Sequence, residues 1–408
     1  MNVPKIGVTV TTITTDGRPE PDSVSTWLTF LLALSCGLIA ANIYYAQPLA
    51  GPIAAELGLR PESAGLIVTM TQIGYGIGLL LIVPLGDLIE NRRLISSVIA
   101  VAAVALVAAA LSRHPLPFLA AALSVGFGSV AVQILVPYAG HLAPERIRGQ
   151  VVGNVTSGLM IGIMLARPAS SFVAELSSWH AVYWMSAALM VSLAILLRWT
   201  LPPRVPQARL RYDELLWSMV HLARTTPVLR RRALYQASLF AVFSLFWTTV
   251  PLVLAGPAFG FSQSGIALFA LMGVAGAFAA PIAGRLADRG WTRPATAAAM
   301  LLTSGGFVLT AIAAPGSTLS LVLFVAAAIA IDFGVQANVV LGFRALFVLG
   351  AESRSRLNGL YMATFFLAGA LGSGVGGWAY ATGGWLLAAA IGATLPLCTL
   401  IYLATEKK

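Results

Sequence analysis

Asp332 stands about midway through an apolar run reading A-I-A-I-D-F-G-V-Q-A-N, while every other carboxylate falls in a tail, a loop or near the end of such a run. An acid near the middle of a bilayer costs about 2.5–3.5 kcal/mol on insertion scales, so it faces a bundle interior or a wet cavity and serves there as a proton or cation site. The plain alternative is a carboxylate locked into a structural hydrogen-bond network. Gln336, one turn further on, shares its helical face and can orient the carboxylate or hold a solute, whereas Asn338 points elsewhere. Arg167 is the one basic side chain inside an apolar run and away from its basic end. It either sits in a cavity, pairing with an anionic group or with Asp332, or snorkels to the surface. Gln133, in V-A-V-Q-I-L-V-P, is a candidate solute ligand or a helix-to-helix hydrogen bond. Asn42, Tyr44, Tyr45 and Gln47 close the first apolar run, and Phe243, Phe246, Trp247 and Thr248 punctuate the seventh. Together they suit an aromatic, weakly polar cavity for amphipathic organic solutes, or else serve as interface anchors.

The runs that must position these residues follow from composition. Hydrophobic residues make up 58% of the 408, charged residues only 10%, and the mean hydropathy is +0.86. Soluble domains carry about a quarter charged residues, so the solvent here is lipid. Apolar runs lie at roughly 27–46, 64–85, 94–112, 117–138, 151–172, 179–198, 233–255, 264–284, 295–313, 318–340, 357–379 and 384–403, each long enough to span as a helix. The expected fold is an all-α integral membrane protein of twelve transmembrane helices. Residues 1–24 form an N-terminal tail without a signal-peptide pattern, 25–199 and 233–404 two six-helix bundles, 200–232 a basic linker and 405–408 a short tail. Within the linker Tyr212, Leu215, Leu216, Met219 and Leu222 recur at helical spacing, which suits either an amphipathic helix on an anionic membrane surface or a solvated tether.

The net charge of +10 is explained by loops rather than by nucleic acid. Arg92, Arg93, Arg146, Arg148, Arg285, Arg289, Arg293, Arg344, Arg354, Arg356 and the linker arginines all fall on one side of a twelve-span arrangement, and only Arg60 and Arg113 occupy loops on the other. The positive-inside rule puts the basic side and both termini in the cytoplasm. Cys36 and Cys398 lie inside apolar runs and suggest neither a disulfide framework nor a zinc site.

A charged hairpin recurs once per half. Pro84 to Arg93 reads P-L-G-D-L-I-E-N-R-R after the second run, and Gly284 to Arg293 reads G-R-L-A-D-R-G-W-T-R after the eighth. With six plus six spans and a basic linker, the chain resembles the major facilitator superfamily over essentially its full length. The family motif is roughly G-x-L-A-D-R-x-G-R-R. The second copy matches at Gly284, Leu286, Ala287, Asp288 and Arg289, while the first keeps Leu85, Asp87 and a displaced Arg92-Arg93, with Val83 and Leu88 where Gly and Arg are usual. Ala41 to Leu49 (A-N-I-Y-Y-A-Q-P-L), Phe246 to Leu252 (F-W-T-T-V-P-L) and Arg354 to Met362 (R-S-R-L-N-G-L-Y-M) are similar to the drug:proton antiporter or arabinose-efflux-permease-like branch. Of its fifth-helix glycine pattern Gly158 and Gly162 are present, whereas Ala166, Arg167, Ser170 and Ser171 replace the rest.

The resemblance implies two pseudo-symmetric six-helix bundles, inverted repeats within each, and a midplane site lined by helices one, four, seven and ten. It also implies a conformational latch at Gly284, Asp288 with Arg289, and Asp87 with Arg92. The expected function is secondary transport, proton-coupled efflux of a small organic molecule or drug, with Asp332 and Arg167 in coupling and Gln133, Gln336, Asn42, Tyr45, Trp247 and Phe246 at the solute. Uptake by proton symport and a non-transporting receptor or scaffold are the alternatives. Expected partners are the solute, protons and the lipid of a bacterial-type inner membrane, with the protein a monomer and no cofactor, metal or nucleic acid. Gly372, Gly374 and Gly377 satisfy G-x-G-x-x-G but follow no strand, and the Asn154 sequon lies inside a span. The sequence contains no P-loop, H-E-x-x-H or G-x-S-x-G pattern, so neither an ATP-driven pump nor an intramembrane hydrolase is indicated.

Overall fold

The computed structural model describes residues 25–206, 211–349 and 354–406. The expected tail at 1–24 and the last two residues lie outside them. The described residues contain helices and no strand. Ten helical stretches are long and apolar enough to cross a membrane. The last, Ser355–Ala404, is 50 residues long, more than twice the roughly 20 that one crossing requires. It turns back at Gly384, whose φ of 66° is open to glycine and strained for any side chain. Thr292–Leu309 adds the ninth span, so twelve spans stand in two sets of six.

Several crossings run longer than the apolar runs suggest. The first continues to Glu56 and is broken in the middle: helix Thr26–Ala41 gives way to a tight turn before helix Ala46–Glu56. Pro48 has no N–H to offer the Tyr44 carbonyl, which accepts from Gln47 N at 3.2 Å instead. The seventh span begins at Pro227, at the first turn where a missing N–H costs nothing. Arg230 to Arg232 thus belong to that span rather than to the linker expected at 200–232.

The linker contains helix Tyr212–Thr225. Its apolar side faces protein: Leu215 and Met219 are buried, Tyr212 Oη donates to Leu81 O of the second span at 2.8 Å, and Arg356 of the eleventh donates to Ser218 Oγ at 2.8 Å. It is docked on the protein rather than a free tether, and Trp217 and Val220 on it stay exposed.

Small residues set the closest helix approaches. Gly37 of the first span meets Gly158 and Gly162 of the fifth so closely that a Cβ on Gly37 would stand 2.6 Å from the Gly158 carbonyl oxygen. Gly372 lies against the Ala241 backbone of the seventh span, and Gly65 of the second span lies against Ser373, Gly374 and Gly377 of the eleventh. The G-x-G-x-x-G run therefore serves packing, in part between the two halves.

Candidate functional site

Asp332 sits in the middle of the tenth span, Thr318–Phe347, whose start is capped by Ser317. It is buried, 4% exposed. The eighth span presses on it with Gly276, where a Cβ would come within 3.1 Å of the Asp332 Cβ. Trp247 of the seventh span donates its indole Nε1–H to Asp332 Oδ2 at 2.8 Å. A hydrogen bond to an ionised partner contributes about 1.5–3 kcal/mol.

Arg167 comes from the other half. It is 3% exposed, which excludes snorkelling to the surface. Its guanidinium lies 4.4 Å over the Trp247 ring and 5.2 Å from the centres of both Tyr44 and Phe243. Desolvated contacts of this kind are each worth about 2 kcal/mol. Arg167 Nε donates to Gln47 Oε1 at 2.6 Å. One indole thus carries a cation on its face and a carboxylate at its N–H edge, and it bridges the fifth span of one half to the tenth span of the other. Gln47, placed by the broken first span, is Arg167's hydrogen-bonding partner, which neither residue type nor spacing reveals.

The remaining candidates divide. Gln336 is half-buried and makes no hydrogen bond among the described residues, so Trp247 rather than Gln336 holds the carboxylate. Asn338 pairs with Gln236 of the seventh span at 2.8 Å. Gln133 donates to Tyr75 Oη at 3.0 Å, a bond inside the first half. Tyr75 in turn meets Phe366 of the second half, the ring centres 4.5 Å apart and tilted by 55°. Asn42 faces the sixth span, accepting from Ser186 Oγ and donating to Met190 Sδ at 3.4 Å. Its polar atoms are therefore used between helices and do not line a cavity. Phe246 points away from Trp247's partners into a cluster with Phe307 and Trp385, a core position rather than a solute-facing one. Tyr45 is buried at one end of a groove of about 740 Å³ between the first and fifth spans, whose walls include Phe30, Leu34, Ile161 and Leu165.

The charged hairpins differ from each other and from expectation. Asp288 pairs with Arg344 of the tenth span, not with Arg289, which is exposed. Gly284 lies beside the same Arg344 guanidinium, 3.5 Å from where its Cβ would be. Asp87 has no ion pair or hydrogen bond among the described residues. Arg92 pairs instead with Glu90 at 3.7 Å, and Glu90 caps the third span by accepting from Arg92 N and Arg93 N. An Asp87–Arg92 contact is absent because Glu90 is the nearer acceptor and doubles as the helix cap.

The halves meet at mid-span, where Tyr75 faces Phe366, along the second and eleventh spans as far as Leu79 and Gly359, and at the end away from the hairpins. There Gly65 meets Gly377, and Glu175 at the end of the fifth span accepts from Ser264 N at the start of the eighth, at 3.2 Å. The fifth span meets the eighth along Gln263–Phe278, while the hairpin-side stretch Ala279–Asp288 packs on the ninth and tenth spans of its own half. On that flank the two halves part toward the hairpins.

Comparisons with known proteins agree with this architecture. Residues 30–348 match the model of the Major Facilitator Superfamily. The chain is 37% identical over 374 residues to an uncharacterized transporter, YgaY, of Escherichia coli O157:H7, covering 92% of this chain and 94% of that one. It is 32% identical over 359 residues to a probable transporter, SCO4007, of Streptomyces coelicolor, covering 87% and 82%. The nucleoside transporter NupG superposes with a TM-score of 0.74 at 16% identity, over 92% of this chain and 100% of that one, a likeness of fold. With two membrane-embedded six-helix halves meeting at a buried charge centre, and with these relatives, the chain belongs to the Major Facilitator Superfamily of membrane transporters.

Proposed function

We propose that the protein exports a small organic solute in exchange for protons, with Asp332 as the proton site. The observation that carries this reading is the placement of the Asp332 carboxylate. It is buried at mid-span where the halves meet, and is linked through Trp247 to a cation of the opposite half. A group so placed changes its neighbours when the halves rock, which is the requirement for loading a proton on one side and releasing it on the other. The bacterial relatives and the basic loops on one end support an inner-membrane location with the hairpins and both termini in the cytoplasm. Asp288 with Arg344 fastens the eighth span to the tenth, so that these two move as one body and set the balance between states.

The test is flux in proteoliposomes of known orientation under an imposed pH gradient, with a solute screen as the variable. Export driven by the gradient, abolished in Asp332→Asn while solute exchange persists, is expected. Accumulation on acidifying the outer side would establish co-transport instead. Normal gradient-driven flux in Asp332→Asn would remove Asp332 from coupling, and absence of any solute-dependent, gradient-driven flux would leave a receptor or scaffold.

A further inference from the structure

The polar atoms left unpartnered around Trp247 have a pattern. Arg167 uses Nε on Gln47, and its Nη2 is buried with no partner. Gln47 uses Oε1 on Arg167, and its Nε2 is likewise buried with no partner. The bond between them consumes the pair's acceptor and leaves two donors, one charged. Both residues are more than nine-tenths buried. A buried donor without a partner is costly, so the arrangement calls for an acceptor that is absent from the protein. Across the indole, Asp332 gives Oδ2 to Trp247, and no protein group among the described residues donates to Oδ1. One side therefore offers two donors with positive charge, and the other an acceptor with negative charge. Tyr44 and Phe243 set aromatic rings beside the Arg167 guanidinium.

We infer that the transported solute is a zwitterion of the amino-acid type, its carboxylate at Arg167 and Gln47, its ammonium at Asp332 and its apolar side chain on the aromatic rings. This rests on the reading of the Asp332 centre as the transport site. The charges sum correctly: Arg167 and ionised Asp332 are together neutral, as is the solute, so no net charge is buried on binding. The class also fixes the sign of coupling. A protonated Asp332 no longer attracts an ammonium, so the proton and the solute exclude each other, which exchange requires. A purely anionic solute would bind best alongside the proton, giving co-transport.

Three matched probes separate the terms: phenylalanine, phenethylamine lacking the carboxylate, and 3-phenylpropionate lacking the ammonium. Binding to the purified full-length protein is measured by titration calorimetry, and proton release by pH in weakly buffered solution. Phenylalanine should bind at least about tenfold more tightly than either analogue. In solution acidic enough to protonate Asp332 before binding, it should release a proton from wild type and none from Asp332→Asn. Gln47→Ala should weaken phenylalanine by about tenfold or more and leave phenethylamine unchanged. Because Gln47→Ala leaves every charge in place, it tests the site even where an Arg167 variant fails to fold. Equal binding of phenethylamine and phenylalanine, with proton release, overturns the zwitterion while leaving proton exchange standing. Preference for 3-phenylpropionate, or failure of all three to bind at millimolar concentration, also overturns it. Phenylalanine binding without proton release sinks the coupling role of Asp332 and spares the solute class.

Discussion

Replacing Asp332 by asparagine removes a charge whose counterpart lies in the other half of the molecule. Arg167 stands 4.4 Å over the Trp247 ring and Asp332 accepts from the same indole at 2.8 Å. Two charges so placed are separated by on the order of 6 Å, and at an effective dielectric of about 20 they attract by about 3 kcal/mol. Asp332→Asn should therefore lower stability by about that amount, and Arg167→Met should do the same, because each leaves the other's charge buried and unbalanced. The double variant leaves neither charge, so its loss should fall short of the sum of the singles by about 3 kcal/mol. Thermal unfolding of the purified proteins in one detergent measures the cycle, and proteoliposome flux measures coupling on the same preparations. The double variant should regain stability without regaining gradient-driven flux. Additive losses in the cycle would refute the pairing of the two charges. Recovery of driven flux along with stability would show that Asp332 serves structure alone.

Asp288→Ala and Arg344→Ala should each change stability by under about 1 kcal/mol, since both side chains are half-exposed. They should alter turnover alike with little change in solute affinity, read from flux and binding on the same samples; a large affinity loss at unchanged turnover would count against a latch. Gly162→Leu should cost several kcal/mol or abolish folding, because even its Cβ would collide with the Gly37 backbone; wild-type unfolding behaviour would disprove the close approach. Glu175→Ala removes a carboxylate from the start of the eighth span, where it complements the helix dipole across the halves. Labelling of a cysteine placed near Gly65 should then become faster, and an unchanged rate would mean that this contact does not hold that end shut.

Composition makes the membrane-spanning class legible, and the repeated hairpins make the duplication legible. Asp332 stands out because a carboxylate in an apolar run has so few tolerable surroundings. Side-chain direction is less accessible. Phe246 and Trp247 are adjacent aromatics that look alike on a hydropathy scale, yet successive helix positions point about 100° apart, and only Trp247 reaches the charge centre. Arg167 reads equally well as snorkelling or cavity-facing until the aromatic faces that receive it are placed. Gln47 becomes its partner across 120 residues, from a stretch where the first span is broken. Asp288 finds Arg344, 56 residues away in sequence, rather than its neighbour Arg289, and nothing local to the motif signals that choice.

The seam at Gly65, Gly374 and Gly377 brings backbone against backbone, with Thr69 bonded beside it to Ala370 O. On the proposed function, this seam stands apart from the residues that read the solute: no side chain of the Arg167, Gln47 and Asp332 centre belongs to it. On that reading, substitutions in the centre would alter what is carried without re-forming this seam. A lineage sharing this joint is free to diversify its cargo, so relatives that superpose closely need not share a substrate.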